Sequence, residues 1–231
     1  MLNVEVLVYI YLLISTSMII FNFVFLYYKK NKNRKIDKQS EIFKEQIKPY
    51  IDKEIFTYKE LISYLESNIK SNTDLMALDS VFEHYIKREI YEVYDVINEI
   101  KPFFIKKFYL YLSKDNTYIA YFIDMLIRYK IVDNSIKKEL INLSKNNSMY
   151  VRYKVINALV YLQDEELIVK AINNLNTNSY FIHNKTLTDV LLKFDGDNKI
   201  LIKKLKKDYN SFNSEIKLGI DNYILLNKRG L

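Results

Sequence analysis

Two groups of carboxylates are the first candidates for chemistry in this sequence, because paired acids can serve in acid–base catalysis or hold a cation. They are the pair Glu165–Glu166 and the segment Asp195–Gly196–Asp197. Both fall between predicted helices, where acidic residues cap helix starts and form turns. The second segment also lacks the remaining ligands of a calcium loop. We therefore expect structural roles for both groups, while a divergent enzyme that uses carboxylates stays an alternative.

Other centres of catalysis are scarce in this chain. It has no cysteine and only two histidines, His84 and His183, which excludes thiolate chemistry and disfavours a histidine metal site. We expect His84 to be a surface residue. No glycine-rich phosphate loop, G-x-S-x-G or H-E-x-x-H motif occurs, and the three glycines are too few for a dinucleotide-binding fold. We predict no catalytic residue, no metal and no cofactor, and thus a protein that is not an enzyme.

Basic residues form two clusters. The first follows an apolar segment directly and consists of Lys29, Lys30, Lys32, Arg34, Lys35 and Lys38. Together with Asp37 it accounts for +5 of the net charge of +7, so the rest of the chain is expected to be near balance. The second cluster lies within residues 203–207 and suits the end of a helix, where cations favour the macrodipole. Nucleic-acid binding, which needs a basic face on the folded part, is therefore a disfavoured alternative.

The element that positions the first cluster is a run of 23 residues, Val6 to Tyr28, without charge, Gly or Pro. As a helix it would be about 34 Å long, enough to cross a hydrocarbon core of about 30 Å. Its flank lacks the basic residues and cleavage site of a signal peptide. We predict a single-pass membrane anchor with the N-terminus outside, because Lys and Arg stay on the cytoplasmic side, where they meet anionic headgroups.

The remaining composition favours a cytoplasmic all-α domain. Only three glycines and two prolines occur, whereas sheets need tight turns that use both. We divide the chain into an N-terminal flank and transmembrane anchor (1–28), a basic juxtamembrane linker (29–39), a helical N-terminal part of a solenoid (40–112) and a region of repeats (113–231).

In residues 40–112 the patterns predict four helices. A short one, Ser40 to Lys48, should end near Pro49, and Thr57 with Glu60 is expected to form a capping box for the next. A long helix should begin at Asn72 or Thr73 and carry an apolar stripe as far as Ile100. Pro102 is well placed in the first turn of the last helix, which should reach Leu112.

From residue 113 onward the chain repeats with a period of about 32 residues. Expected helix starts lie at Asn147–Ser148, Asn178–Ser179 and Asn210–Ser211. The corresponding apolar positions that lead each first helix are Ile119, Val151, Ile182 and Ile216. Second helices are expected at Ser135 to Leu143, Glu165 to Leu175 and Lys199 to Leu205. Helix pairs recurring at this period are typical of an α-solenoid.

One repeat carries a family resemblance. The segment Asn147-Ser-Met-Tyr-Val-Arg152, followed by Ala158-Leu159, Leu162, Asp164 and Ile168, resembles a HEAT repeat of the short bacterial type. The resemblance implies a protein-binding solenoid without chemistry of its own. It also implies that Arg152 is a structural brace between turns, with Asp164 as its acidic partner, and that His183 replaces this brace in the next unit. An exposed Arg152 on a binding surface is the alternative.

Aromatic residues are dense, with 21 Tyr and 13 Phe. Runs such as Phe103–Phe104, Phe108–Tyr111 and Tyr118–Phe122 leave two interpretations open. The rings could form a Tyr-rich interface, since Tyr buries much area with few rotors, or they could simply fill core and amphipathic positions.

These observations predict an all-α protein in which a single N-terminal transmembrane helix precedes an α-solenoid of HEAT-like helix pairs. We expect a membrane-anchored scaffold in the bacterial cell membrane that binds a membrane-associated protein. An accessory subunit of an envelope complex, for polysaccharide synthesis or secretion, is one setting that fits.

Overall fold

The computed structural model describes residues 4–55, 57–176 and 182–229, and within these ranges the chain is all helical. It contains twelve α-helices and one short 3-10 turn, Tyr209–Ser211, and no strand in the described ranges. The chain divides into two compact units, Met1–Glu99 and Ile100–Leu231. The sequence analysis instead separated residues 40–112 from 113–231.

The first unit contains α1 (Val4–Ile51), α2 (Lys59–Asn68), α3 (Asn72–Lys87) and α4 (Glu92–Glu99). Its core lies on the last turns of α1, where Phe43, Ile47, Tyr50 and Ile51 are buried. The helix packs there against α3 and α4. The N-terminal half of α1 therefore takes no part in this core.

The structure corrects the sequence prediction for residues 29–48. They form neither a linker nor a separate helix, because α1 continues through them and Pro49 lies inside its last turn. The Lys, Arg, Glu and Gln of this stretch are good helix formers. A proline so near the end removes only the bond from its own nitrogen. The helix ends after Ile51 with Lys53 in the left-handed region (φ 59°) and Glu54 N donating to Pro49 O over 2.8 Å.

Two further predictions for the first unit are wrong. Thr57 does not cap α2, because the N-cap position belongs to Tyr58 and no side chain bonds there. The predicted long helix is two helices, because Glu89 takes a left-handed conformation (φ 58°) and Ile90 N donates back to Tyr85 O. The start of α3 at Asn72 agrees with the prediction, and Ser71 and Asp74 form a capping box there.

The second unit contains α5 (Lys101–Tyr111), α6 (Asn116–Arg128), α7 (Asn134–Leu143), α8 (Met149–Tyr161), α9 (Glu165–Asn176), α10 (Asn184–Leu191), α11 (Asn198–Lys207) and α12 (Ser214–Arg229). Pro102 lies in the first turn of α5, as predicted. The predicted second helices correspond closely to α7, α9 and α11.

Helices two apart in sequence pack against each other in this unit. Helix α6 contacts α8, α8 contacts α10, and α10 contacts α12, while α7 contacts α9 and α9 contacts α11. The four apolar positions predicted to lead the first helices are all buried: Ile119, Val151, Ile182 and Ile216. Within the described residues, the first helices of successive pairs thus contact one another, and so do the second helices.

Hydrogen bonds join residues of neighbouring helix pairs that are about one predicted repeat apart in the sequence. Asn174 Nδ2 donates to Ser144 Oγ over 2.8 Å across 30 residues, and Thr188 Oγ1 donates to Gly219 O over 3.0 Å across 31. Helices α10 and α12 approach closely there, since a Cβ on Gly219 would lie 3.1 Å from the carbonyl oxygen of Asn184.

The expected helix starts are less regular than the pattern suggests. Ser148 is the N-cap residue of α8, although its side chain makes no capping bond. Ser211 lies in the 3-10 turn, and α12 begins three residues later, with Asn213 Oδ1 accepting from Ile216 N. The third predicted start, Asn178–Ser179, lies outside the described residues.

Candidate interaction surfaces

The apolar part of α1 is exposed along its whole length. Its large side chains from Val6 to Tyr28 are 46–73% accessible, and none of its most apolar window is buried in the fold. By length and composition it is the one helix among the described residues that could cross a membrane. Its hydroxyls are satisfied within the helix, as where Thr16 Oγ1 donates to Leu12 O over 2.8 Å. The exposed position distinguishes it from a core helix and is compatible with a membrane anchor.

The six basic residues of the predicted membrane-surface cluster continue this same helix. Lys29, Lys30, Arg34, Lys35 and Lys38 are exposed and Lys32 is half-buried. Because the segment is helical, their charges are fixed relative to the apolar part rather than spread along a flexible chain. Phe43, the first buried side chain of α1, lies about 22 Å along the axis from Tyr28.

One carboxylate of each group, Glu166 and Asp197, has a structural partner in the fold. Glu165 and Glu166 lie in the first turn of α9, where Glu166 reaches Lys204 Nζ at 3.4 Å. Asp197 caps α11 by accepting from Lys199 N and Ile200 N. In the described parts of the chain, no three His, Asp or Glu side chains converge as a cation site would require.

The proposed brace residues have separate partners among the described bonds. Arg152 is buried, and its Nη1 donates to Asn146 O (2.7 Å) and Asn147 O (2.9 Å) of the preceding turn. Asp164 accepts from Lys137 Nζ at 2.9 Å and from Leu167 N in the first turn of α9. Arg152 therefore fastens a turn to its own helix, whereas Asp164 links α9 to α7.

The two histidines also have defined surroundings. His183 Nδ1 accepts from Lys185 N, so His183 caps α10. His84 packs edge-on against Tyr85 on α3, and partial burial together with the charge of Arg88 lowers its pKa. His84 is half-buried, which agrees with a partly exposed surface residue.

Most of the aromatic runs belong to the core. Phe103, Phe104, Phe108, Tyr111 and Phe122 are buried, and the Tyr111 and Phe122 rings lie 4.8 Å apart. Exposed aromatic side chains of the second unit are more scattered, as at Tyr109, Tyr150 and Tyr161. Of the two interpretations left open by the sequence, core packing accounts for the densest runs.

The charge beyond the basic cluster is not evenly balanced, although its sum is small. Residues 39–99 contain 13 acidic and 7 basic residues, a net charge of −6, whereas residues 100–231 contain 13 acidic and 22 basic residues, a net charge of +9. The expected near balance thus conceals two regions of opposite sign. Because residues 100–231 carry a net charge of +9, a near-neutral overall charge no longer argues against an anionic partner for that region.

The second unit has a groove along its second helices, which we call the lysine groove. One part, of about 470 Å³, lies between α7 and α9; the next, of about 340 Å³, lies between α9 and α11. Lys170 lines both parts, so they adjoin each other at this residue. The basic residues that line the groove are Lys137, Lys138, Lys170, Lys204 and Lys207.

Sequence reasoning missed this groove, although a signal was present. Lys138 and Lys170 are 32 residues apart, which is the repeat period, whereas Lys207 follows 37 residues later as the last residue of α11. The lysines that are adjacent in the chain, Lys204 and Lys207 among them, indicated only a helix end.

The described residues define an all-helical protein with one apolar N-terminal helix that is suited to a membrane. No protein-family model matches the chain, and neither a curated protein nor a solved structure gives a significant match.

Proposed function

We propose that this protein is a membrane-anchored α-solenoid scaffold that binds another protein at the cytoplasmic face of a bacterial membrane. The observation that carries the proposal is the form of α1. An exposed apolar segment, a basic segment and a packed end lie on one continuous helix. Such a helix anchors the chain and holds the first unit at a fixed distance from the lipid.

The orientation follows from the distribution of charge around the apolar segment. Six basic residues follow it, while Glu5 is the only charged residue before it. Lys and Arg near the ends of a transmembrane helix stay on the cytoplasmic side. The N-terminus therefore lies outside and the two helical units lie in the cytoplasm.

The solenoid assignment is supported by the packing of the second unit. First helices contact first helices and second helices contact second helices, and hydrogen bonds recur at separations of about one repeat. Each pair in such an array covers the apolar face of its neighbour. The resemblance of residues 147–177 to a HEAT repeat agrees with this arrangement, which leaves an extended groove for a protein partner.

Topology can be tested directly because the chain has no cysteine. A single Asn33→Cys variant should stay unlabelled by a membrane-impermeant maleimide in intact cells and react after permeabilisation, and the protein should resist carbonate extraction. Labelling in intact cells, or release by carbonate, would refute the anchored cytoplasmic arrangement.

Partner binding is tested by pull-down from native membranes in mild detergent, with the full-length protein and a variant that lacks residues 1–35. One protein recovered in stoichiometric amount with both forms would locate binding on the helical units. Recovery with the full-length form alone would move the interface to the anchor or its basic segment. If neither form recovers a protein, the scaffold proposal is wrong.

A second candidate is nucleic-acid binding, favoured by the net charge of +9 on residues 100–231. It predicts that the full-length protein in detergent binds an oligonucleotide with an affinity that falls steeply with salt.

A further inference from the structure

We propose that the lysine groove binds an extended acidic segment of the protein partner. This inference rests on the proposed scaffold function, and it names the surface that the partner uses and the chemistry that this surface recognises. Its basis is the juxtaposition of Lys138, Lys170 and Lys207 along the two adjoining parts of this groove.

These three lysines differ from the other two in the groove. Lys137 pairs with Asp164 at 2.9 Å and Lys204 with Glu166 at 3.4 Å. Within the described residues Lys138, Lys170 and Lys207 have no ion-pair partner, and each of them is exposed. Three uncompensated cations on three successive second helices match a chain with several carboxylates.

The rest of the lining suits a peptide. Ile141 and Val169 are nearly buried, and they offer an apolar base for aliphatic parts of a bound chain. Asn134 and Asn142 are exposed at the side of the groove, and their amides can both donate to and accept from a peptide backbone. A groove with an apolar base, amides and spaced cations is complementary to an extended acidic segment.

Nucleic acid fits the same lining less well. Among the lining residues that the structure describes there is no aromatic side chain, whereas single strands are held by stacking of bases on aromatic rings. The lining also includes Asp164, Glu166 and Asp208, whose carboxylates repel phosphates.

A lipid surface is a second alternative anion. The apolar base and the side-chain amides of the groove are complementary to a peptide rather than to headgroups alone, so we assign the groove to the protein partner, and the nanodisc competition below distinguishes the two.

The test uses the full-length protein in phosphatidylcholine nanodiscs and a fluorescein-labelled 12-residue peptide of alternating Glu and Ala. A peptide of alternating Gln and Ala is the neutral comparison. We expect the Glu peptide to bind at least about tenfold more tightly by fluorescence anisotropy, because only its carboxylates can pair with the lysines.

The groove variant is Lys138→Gln/Lys170→Gln/Lys207→Gln. A matched control, Lys114→Gln/Lys145→Gln/Lys185→Gln, removes the same charge from exposed sites of the second unit that do not line the groove. We expect the groove variant to lose at least about tenfold in affinity for the Glu peptide and the control less than about threefold. Equal losses in the two variants, or equal binding of the two peptides, would overturn the assignment.

Two competitors decide between the classes of anion. A 20-nucleotide single-stranded DNA that binds the groove more tightly than the Glu peptide would overturn the proposal in favour of nucleic acid. Displacement of the Glu peptide when phosphatidylglycerol replaces part of the nanodisc lipid would overturn it in favour of the membrane surface.

The pull-down separates failure of this inference from failure of the scaffold function. If the wild-type protein and the groove variant recover the same partner equally, the partner binds elsewhere and the scaffold function stands. If the Glu peptide binds the groove but the wild-type protein recovers no partner, the chemistry of the groove stands and the scaffold function fails.

Discussion

At the scale of single residues, a buried guanidinium holds the turn before α8. Arg152 is only 2% exposed and bonds two backbone carbonyls of that turn through Nη1. A buried charge is tolerated only when it is hydrogen-bonded. The carbonyls of Asn146 and Asn147 accept these bonds, and the acidic partner that the resemblance to a HEAT repeat implies stays a prediction.

We predict that Arg152→Met lowers the free energy of unfolding by about 2 kcal/mol, because the variant keeps the apolar stem but loses charged hydrogen bonds to the turn. Chemical unfolding of the full-length protein in mild detergent, followed by circular dichroism, measures the change. Lys185→Met, at an exposed site on α10, should stay within about 0.5 kcal/mol of the wild type. A similarly small effect at Arg152 would show that its bonds contribute little.

At the scale of elements, this glycine-poor chain ends several helices on left-handed residues that are not glycine. The described examples are Lys53, Glu89, Lys130 and Gln163. A left-handed conformation costs a residue with a Cβ roughly 1 kcal/mol, and glycine avoids this cost. Each of these turns therefore stores a small strain that a single substitution can relieve.

Gln163 is the clearest position at which to test whether a left-handed residue strains its turn. It is exposed, has φ 53° and lies between α8 and α9. We predict that Gln163→Gly raises the free energy of unfolding by about 0.5–1 kcal/mol, since relief of strain exceeds the added freedom of the unfolded chain. Gln163→Ala keeps the strain and should give no increase. A gain with alanine, or none with glycine, would mean that this turn is not strained.

These helix ends also explain which parts of the fold could be predicted. Helices α7, α9 and α11 were located from apolar periodicity, because each buries one face. The break at Glu89 was missed, since glutamate favours helices and the apolar stripe continues on both sides of it. The continuity of α1 was missed for the opposite reason: Pro49 was interpreted as a stop, but near the end of a helix it removes only one bond.

The candidate groove was harder to predict from the sequence than the helices were. The apolar anchor and its basic residues stand next to each other in the chain and were recognised at once. Lys138 and Lys170 share the groove only because α7 packs on α9, and helix packing is not visible in local spacing. The period of the repeats was the one feature that could have linked them.

At the scale of the whole molecule, the proposed anchoring makes α1 the element that sets how the first unit stands relative to the membrane. Residues 29–42 are helical, so the distance from lipid to Phe43 is that of a rigid rod and not of a flexible linker. A helix transmits tilt and rotation, whereas a linker would let the units diffuse around the anchor point. A partner in the same membrane would then meet the scaffold at a defined height.

The cysteine-free chain allows a direct measurement of this rod. In Asn33→Cys/Lys48→Cys, both sites are exposed, and spin labels should give a narrow distance distribution centred near the roughly 22 Å expected for 15 residues of helix. Adding Lys38→Gly/Gln39→Gly/Ser40→Gly should broaden that distribution, because three glycines weaken the helix by about 1 kcal/mol each. A broad distribution in the first variant, in nanodiscs, would mean that residues 33–48 behave as a linker and that the height of the scaffold is not fixed by α1.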